Sequence, residues 1–364
     1  MKRSEYTIEI IINDFEKPES VFSYTYSNVN IHIELSKDSG RIFYRLKDLQ
    51  LKDLQTEEKN NEPFHFSVKD GKYRDVFHKF YLLHLLKYSY SLEVTDVIRR
   101  ISDASQNKLY DKKIPCQIEF LPSLIRPKEK LNIHQNLKSD KVLEKILNLK
   151  KSDDGSTHLL AALSAYLIAK SKRFEIEKFI FLWMSINGLY GELNRRNKEH
   201  EKKEGKKNGK NRDSEAKQIS DFLDFYDLRK DVVNENKVET VIKEFSKYLK
   251  SLDSKQLEKD FNYKEFDSGN YKEIKEQIQK FLSNHEITGL HEYGFLLLKF
   301  PYKFRCNSIH SNKPVPLFSF KDEGNLGAFR LINKVLEDFL DNHLAEWFDE
   351  NFKGYSLVNN ENKF

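Results

Sequence analysis

The chain has 364 residues, 62 Lys and Arg against 57 Asp and Glu, a formal charge of +5 and 38% hydrophobic residues. That length predicts two domains rather than one core, and 27 Phe with 18 Tyr exclude a disordered chain. The mild positive charge permits a polyanionic partner without demanding one. No apolar run reaches the roughly 20 residues that span a bilayer, so no membrane association is expected. The N-terminus MKRSEYTIEIIIND reads as a first strand rather than a signal peptide. Two cysteines, Cys116 and Cys306, give no disulfide framework and point to a reducing cytoplasm.

Residues 6 to 48 alternate and carry β-branched and aromatic side chains, in YTIEIIIND, SVFSYTYSN, VNIHIEL and RIFYRLKDL. They predict short strands separated by turns at EKPES and SKDSG. DLQTEEKNNEP, residues 53 to 63, reads as a loop. A helix is predicted from about Arg74 to Tyr90, with Val76, Phe80, Leu83 and Leu86 near helical spacing. IPCQIEFLP, residues 114 to 122, reads as one more strand.

From about residue 138 the period becomes helical. Val142, Ile146 and Leu149 recur in DKVLEKILNL, and the turn SDDGST precedes HLLAALSAYLIAK. FEIEKFIFLWMSINGLYGEL places Phe179, Trp183, Ile186 and Tyr190 on one face, with Trp183 a core residue. Further helices fit 215–229, 236–250, 271–283 and 326–350. The expected fold class is α+β: a mixed, β-containing domain over 1–137, then an all-helical bundle over 138–364.

The stretch NRRNKEHEKKEGKKNGKNR, residues 194 to 212, interrupts that bundle with nine Lys or Arg against three Glu. It reads as a solvated loop between helices, and equally as an electrostatic guide for RNA phosphates through Arg195, Arg196, Lys206, Lys207 and Lys210. The two readings are compatible. No aromatic residue interleaves the charges, so base stacking is not expected there.

The densest chemistry lies in FRCNSIHSNK, residues 304 to 313. Pro314 and Pro316 end any helix shortly beyond it. Arg305 and His310 stand about 140° apart on an ideal helix, so they converge only where the helix frays or turns near Ser311. Histidine gives or takes a proton near neutral pH. Arginine holds a phosphate and its developing charge, Asn307 orients either partner, and Lys313 contacts phosphate or simply lies at the surface. This set suffices for metal-free RNA cleavage, in which the ribose 2′-OH attacks its own phosphate. One histidine is thin for a reaction wanting both acid and base, so the chemistry points to a homodimer with a composite site.

The pattern resembles the HEPN superfamily of helical RNases and nucleotide-binding domains over residues 150 to 350. The resemblance rests on RCNSIHSNK with its Arg-x4-His spacing, on the upstream helix FIFLWMSINGLYGEL and on the closing helix GAFRLINKVLEDFLDNHLAEWF. It implies a HEPN-like bundle that dimerises with the signatures facing each other, and an RNase role for Arg305 and His310 with Asn307 between them. Ser311 departs from the family, where glycine is usual. The resemblance also implies a place in antiviral or stress defence, with a toxin-like activity and an inhibitory or activating partner to restrain it. Some members only bind RNA or nucleotides, which is the alternative function.

Two further residues are candidates for support. Glu192 either orients Arg305 or His310 or faces solvent, and Asn187, an amide in an apolar stretch, bonds a neighbouring helix or reaches the cleft. No metal or cofactor is expected. His285 and His291 are six apart, as are His78 and His84, and no CxxC, HxxxH, GxGxxG or GxxxxGK[ST] occurs.

Overall fold

A computed structural model describes residues 4–12, 18–26, 29–49, 72–93, 97–103, 105–114, 125–126, 128–149, 154–203, 215–227, 323–349 and 352. The chain divides into two compact units, Met1–Leu160 and Ala161–Phe364. The arrangement is α+β: an antiparallel sheet in the first unit, and only helices among the described residues of the second.

In the first unit, β1 (Ser4–Ile12), β2 (Ser20–Tyr26), β3 (Val29–Leu35), β4 (Gly40–Leu49), β5 (Val97–Asp103) and β6 (Lys108–Ile114) form one sheet in the order β2-β3-β4-β1-β5-β6. Every pairing is antiparallel. Alternation sorts the two faces. In β3, Ile31, Ile33 and Leu35 are buried while Asn30 and His32 are exposed. Ile10, Ile12, Ile42, Val97 and Ile101 continue the apolar face. The other face carries Glu9, which pairs with Arg41 at 3.5 Å and Arg100 at 3.1 Å.

Helix α1 (Lys72–Tyr88) buries Val76, Phe80, Leu83 and Leu86, the four positions whose spacing predicted it. It docks on the β3–β4 hairpin. Tyr88 Oη donates to the Leu35 carbonyl at 3.0 Å, and His84 Nε2 lies 2.9 Å from the Lys37 carbonyl. A Cβ on Gly40 would stand 2.4 Å from the Phe80 ring, so only glycine allows this approach. Lys79, fully buried, donates to the carbonyls of Leu147 and Leu149 and so caps α2 (Asp140–Asn148). Helix α2 packs on α1 and β2, and the first compact unit runs on to Leu160.

Two strands were not expected. β5 (VIRRISD) and β6 (KLYDKKI) break their apolar pattern with charges, since β6 is a sheet edge and Arg100 serves the polar face. β6 ends at Ile114, and the rest of the strand expected over 114–122 lies outside the described residues.

In the second unit, α3 (Asp154–Ser171, from Ala161 on), α4 (Glu175–Lys203), α5 (Glu215–Asp227) and α6 (Glu323–His343) surround an aromatic core. A 3₁₀ turn, Leu344–Phe348, follows α6. Phe222 of α5 stacks on Trp347 at 6.1 Å and meets Phe339 at 5.9 Å, and Trp347 Nε1 donates to Tyr226 Oη at 2.9 Å. Phe179, Trp183, Ile186 and Tyr190 are all buried. Phe179 packs on Phe329 at 5.5 Å, and Asn333 Nδ2 donates to the Glu175 carbonyl and carboxylate, each at 2.8 Å. These contacts set α6 beside α4. The expected helices 236–250 and 271–283 lie outside the described residues.

Candidate functional site

Helix α4 organises what is described of the expected site. It runs on to Lys203, so Asn194–Lys203 of the basic stretch is helix rather than loop. The sequence permits this because no glycine or proline intervenes between Gly191 and Gly205, and because i, i+3 and i, i+4 ion pairs support the turn. Residues 204–214, with Lys206, Lys207 and Lys210, lie outside the described residues.

At the centre of this turn Glu192 is buried, its side chain 1% exposed. Arg195 grips it bidentately, with Nε to Oε2 at 2.8 Å and Nη2 to Oε1 at 2.7 Å. Arg196 Nε adds a third bond to Oε1 at 2.6 Å. Arg195 also reaches Glu199 at 2.5 Å. Arg196 continues outward: Nη1 donates to the Phe352 carbonyl at 2.8 Å, Nη2 approaches the Trp347 carbonyl at 3.5 Å, and the guanidinium lies 5.3 Å from the Trp347 ring centroid. Arg196 thus ties the segment after α6 to α4.

Burial alone would push the Glu192 carboxyl up, but bonds from Arg195 and Arg196 outweigh it and hold the group below the usual carboxylate range. The bond to Glu192 likewise holds the Arg195 guanidinium above its ordinary value. A carboxylate fixed in its charged form orients its neighbours and does not shuttle protons. Arg195 and Arg196, expected as RNA contacts on a loop, are engaged in this cluster on a helix. Asn187, one turn earlier than Gly191 on α4, is half-buried, and its Oδ1 is shut off from water without a hydrogen bond. Arg305, Asn307, His310 and Lys313 lie outside the described residues.

A second polar cluster joins α3 to α6. Lys170, with 3% of its side chain exposed, donates to Glu337 at 2.6 Å and Asp341 at 3.0 Å. Tyr166 Oη donates to Asp341, and Lys178 at the start of α4 reaches Glu337. The lysines outweigh burial and hold the Glu337 carboxyl low. Sequence reasoning missed this cluster. Tyr166 with Lys170 and Glu337 with Asp341 each repeat at i, i+4, but only the antiparallel docking of α3 on α6 brings them together.

Among the described residues no group of three or more His, Cys, Asp and Glu is placed to hold a metal ion, and no helix is long and apolar enough to cross a membrane. Comparison with known proteins finds no matching family model, no matching curated protein and no matching solved structure.

Proposed function

We propose that the chain is a metal-independent endoribonuclease whose second unit is a HEPN-like helical domain acting as a homodimer. The observation that carries the reading is the stretch FRCNSIHSNK, with Arg305, Asn307 and His310 in the Arg-x4-His spacing. It lies in a unit whose described residues are helical, between α5 and α6 in the chain. In this reading the ribose 2′-OH attacks the adjacent phosphorus while His310 of one copy takes its proton. The 5′-oxygen leaves with a proton from His310 of the other copy, giving a 2′,3′-cyclic phosphate and a 5′-hydroxyl. Arg305 holds the non-bridging oxygens, and Asn307 orients the phosphate or the imidazole. Lys313 and the basic residues beyond Lys203 supply phosphate attraction. The first unit senses a trigger or positions RNA, which gives a defence nuclease its restraint.

The test is cleavage of total RNA and tRNA in EDTA by wild type and His310→Ala, resolved on a denaturing gel. Wild type alone yielding cyclic-phosphate ends is the expected result. Equal cleavage by both proteins would remove His310 from the mechanism. RNA or nucleotide binding without cleavage would favour the second reading, a non-catalytic regulatory module, for which the same residues form the pocket.

A further inference from the structure

The two edges of the sheet are built differently. β6 carries Lys108, Asp111, Lys112 and Lys113 within seven residues, and its ladder with β5 has a register shift at Ile101/Ser102. Charges and irregular pairing are the usual protection of an edge against a further strand. β2 has neither. Its sequence, SVFSYTY, contains no charge and no proline, and it pairs with β3 over seven consecutive residues without a shift. Among the described residues no strand lies on its outer side. Val21 is 56% exposed, and Ser23 and Thr25 are exposed with it.

We infer that β2 is an interaction edge and that its occupant is β2 of a second copy, joined antiparallel about a two-fold axis through Ser23. The strand is complementary to itself in that register. On the polar face Val21 meets Thr25 and Ser23 meets Ser23, so no like charges oppose each other. On the apolar face Phe22 of each copy meets Tyr24 of the other, which puts aromatic residues in direct cross-strand pairs. An isologous contact of this kind closes on itself and makes one continuous sheet from two copies. The neighbouring strand keeps its own bonds, with Ser23 Oγ 2.6 Å from His32 Nδ1 and Thr25 donating to Asn30 at 3.0 Å. The contact is independent of the chemistry proposed for the second unit and adds a second point of association to it.

The test uses the full chain. Ser23→Cys, oxidised mildly, should give a disulfide between two copies of position 23, identified by peptide mass spectrometry, because residues on the axis face each other. In sedimentation, V21K/T25K sets lysine against lysine and should lose one step of association. V21K/T25E sets lysine against glutamate and should regain it, while Glu34, opposite Val21 on β3, receives the lysine within each chain. Absence of the 23–23 link, or identical association in wild type and both double variants, would overturn the inference. So would slow hydrogen exchange, in dilute, monomeric protein, at the β2 amides that do not bond β3, since the edge would then be covered by its own chain or by a co-purified peptide. Failure of association at β2 leaves the His310 cleavage assay unaffected, and loss of cleavage leaves the link at position 23 intact.

Discussion

Glu9 in the sheet and Glu192 on α4 each hold two arginines, and the two triads are built from opposite materials. Glu9 takes Arg41 and Arg100 from the flanking strands, at 3.5 and 3.1 Å, with its own side chain 11% exposed and about a third of each arginine in water. Glu192 takes both partners from the next turn of its own helix, at 2.6 to 2.8 Å, and is sealed off. The helical triad is rigid, desolvated and coupled to the chain beyond α6. The sheet triad is a clasp across three strands, buried at its carboxylate and open to water at its two arginines. A buried group of this kind matters chiefly when one member is removed, because the remaining charges then lose their compensation.

The largest expected effect follows from that rule. Glu192→Gln leaves two guanidiniums crowded on a neutral amide and should cost about 3–5 kcal/mol, read in denaturant unfolding by tryptophan fluorescence. Both tryptophans, Trp183 and Trp347, lie in the second unit and report on it. Lys170→Met should rank next, at about 2–3 kcal/mol. Glu337 would keep Lys178 and Asp341 would keep Tyr166, so each carboxylate retains a donor. Equal stability of wild type and Glu192→Gln would mean that the triad is solvated rather than sealed.

The same contrast explains what the sequence made legible. Helical faces were readable because a period of 3.6 fixes neighbours locally: Phe179, Trp183, Ile186 and Tyr190 are buried together, and α1 follows from its own four apolar positions. The triad on α4 lies at i, i+3 and i, i+4 and carried the same signal. It was obscured because Arg195 and Arg196 open a stretch whose charge suggested a loop. Sheet partners have no such local record. Glu9 meets Arg100 across 91 positions, and β5 and β6 hide their pattern under charges that suit a polar face and an edge. Nothing local marks Lys79 for burial, because only tertiary packing brings the end of α2 to it.

Acid should separate the two units in a defined order. His84 is fully buried, and burial lowers its pKa although carbonyls such as that of Lys37 act the other way. Its folded value lies below the unfolded value of about 6.5, so the unfolded chain binds the proton first and stability falls as pH drops below that point. Glu192 and Glu337 are also held low. Their contribution is complete above the ordinary glutamate value of about 4.3 and is lost as pH falls through the lower folded values. The protection factors of amides in α1 and its sheet, taken against the intrinsic exchange rate at each pH, should therefore fall between about pH 6 and 5, while tryptophan fluorescence holds steady. His84→Gln should flatten the first change and leave the second in place. Simultaneous loss in both units would mean that His84 does not govern the first.

The smallest expected effect is at the sheet triad. Glu9→Gln should cost no more than about 1 kcal/mol, the range of partly exposed ion pairs. Arg100 keeps a second carboxylate, Asp111, at 3.5 Å, and Asp111 is held in turn by Lys108. Arg41 is open enough to rehydrate. What remains of the loss should shrink further when salt is raised from 0.05 to about 0.5 M, because screening acts on exposed pairs within a Debye length of about 10 Å or less. Hydrogen exchange along β1 and β5 reads this site where the tryptophans are silent. A loss as large and as salt-resistant as that of Glu192→Gln would place Glu9 in a dry interior, and the polar face of the sheet would then be a second core rather than a solvated surface.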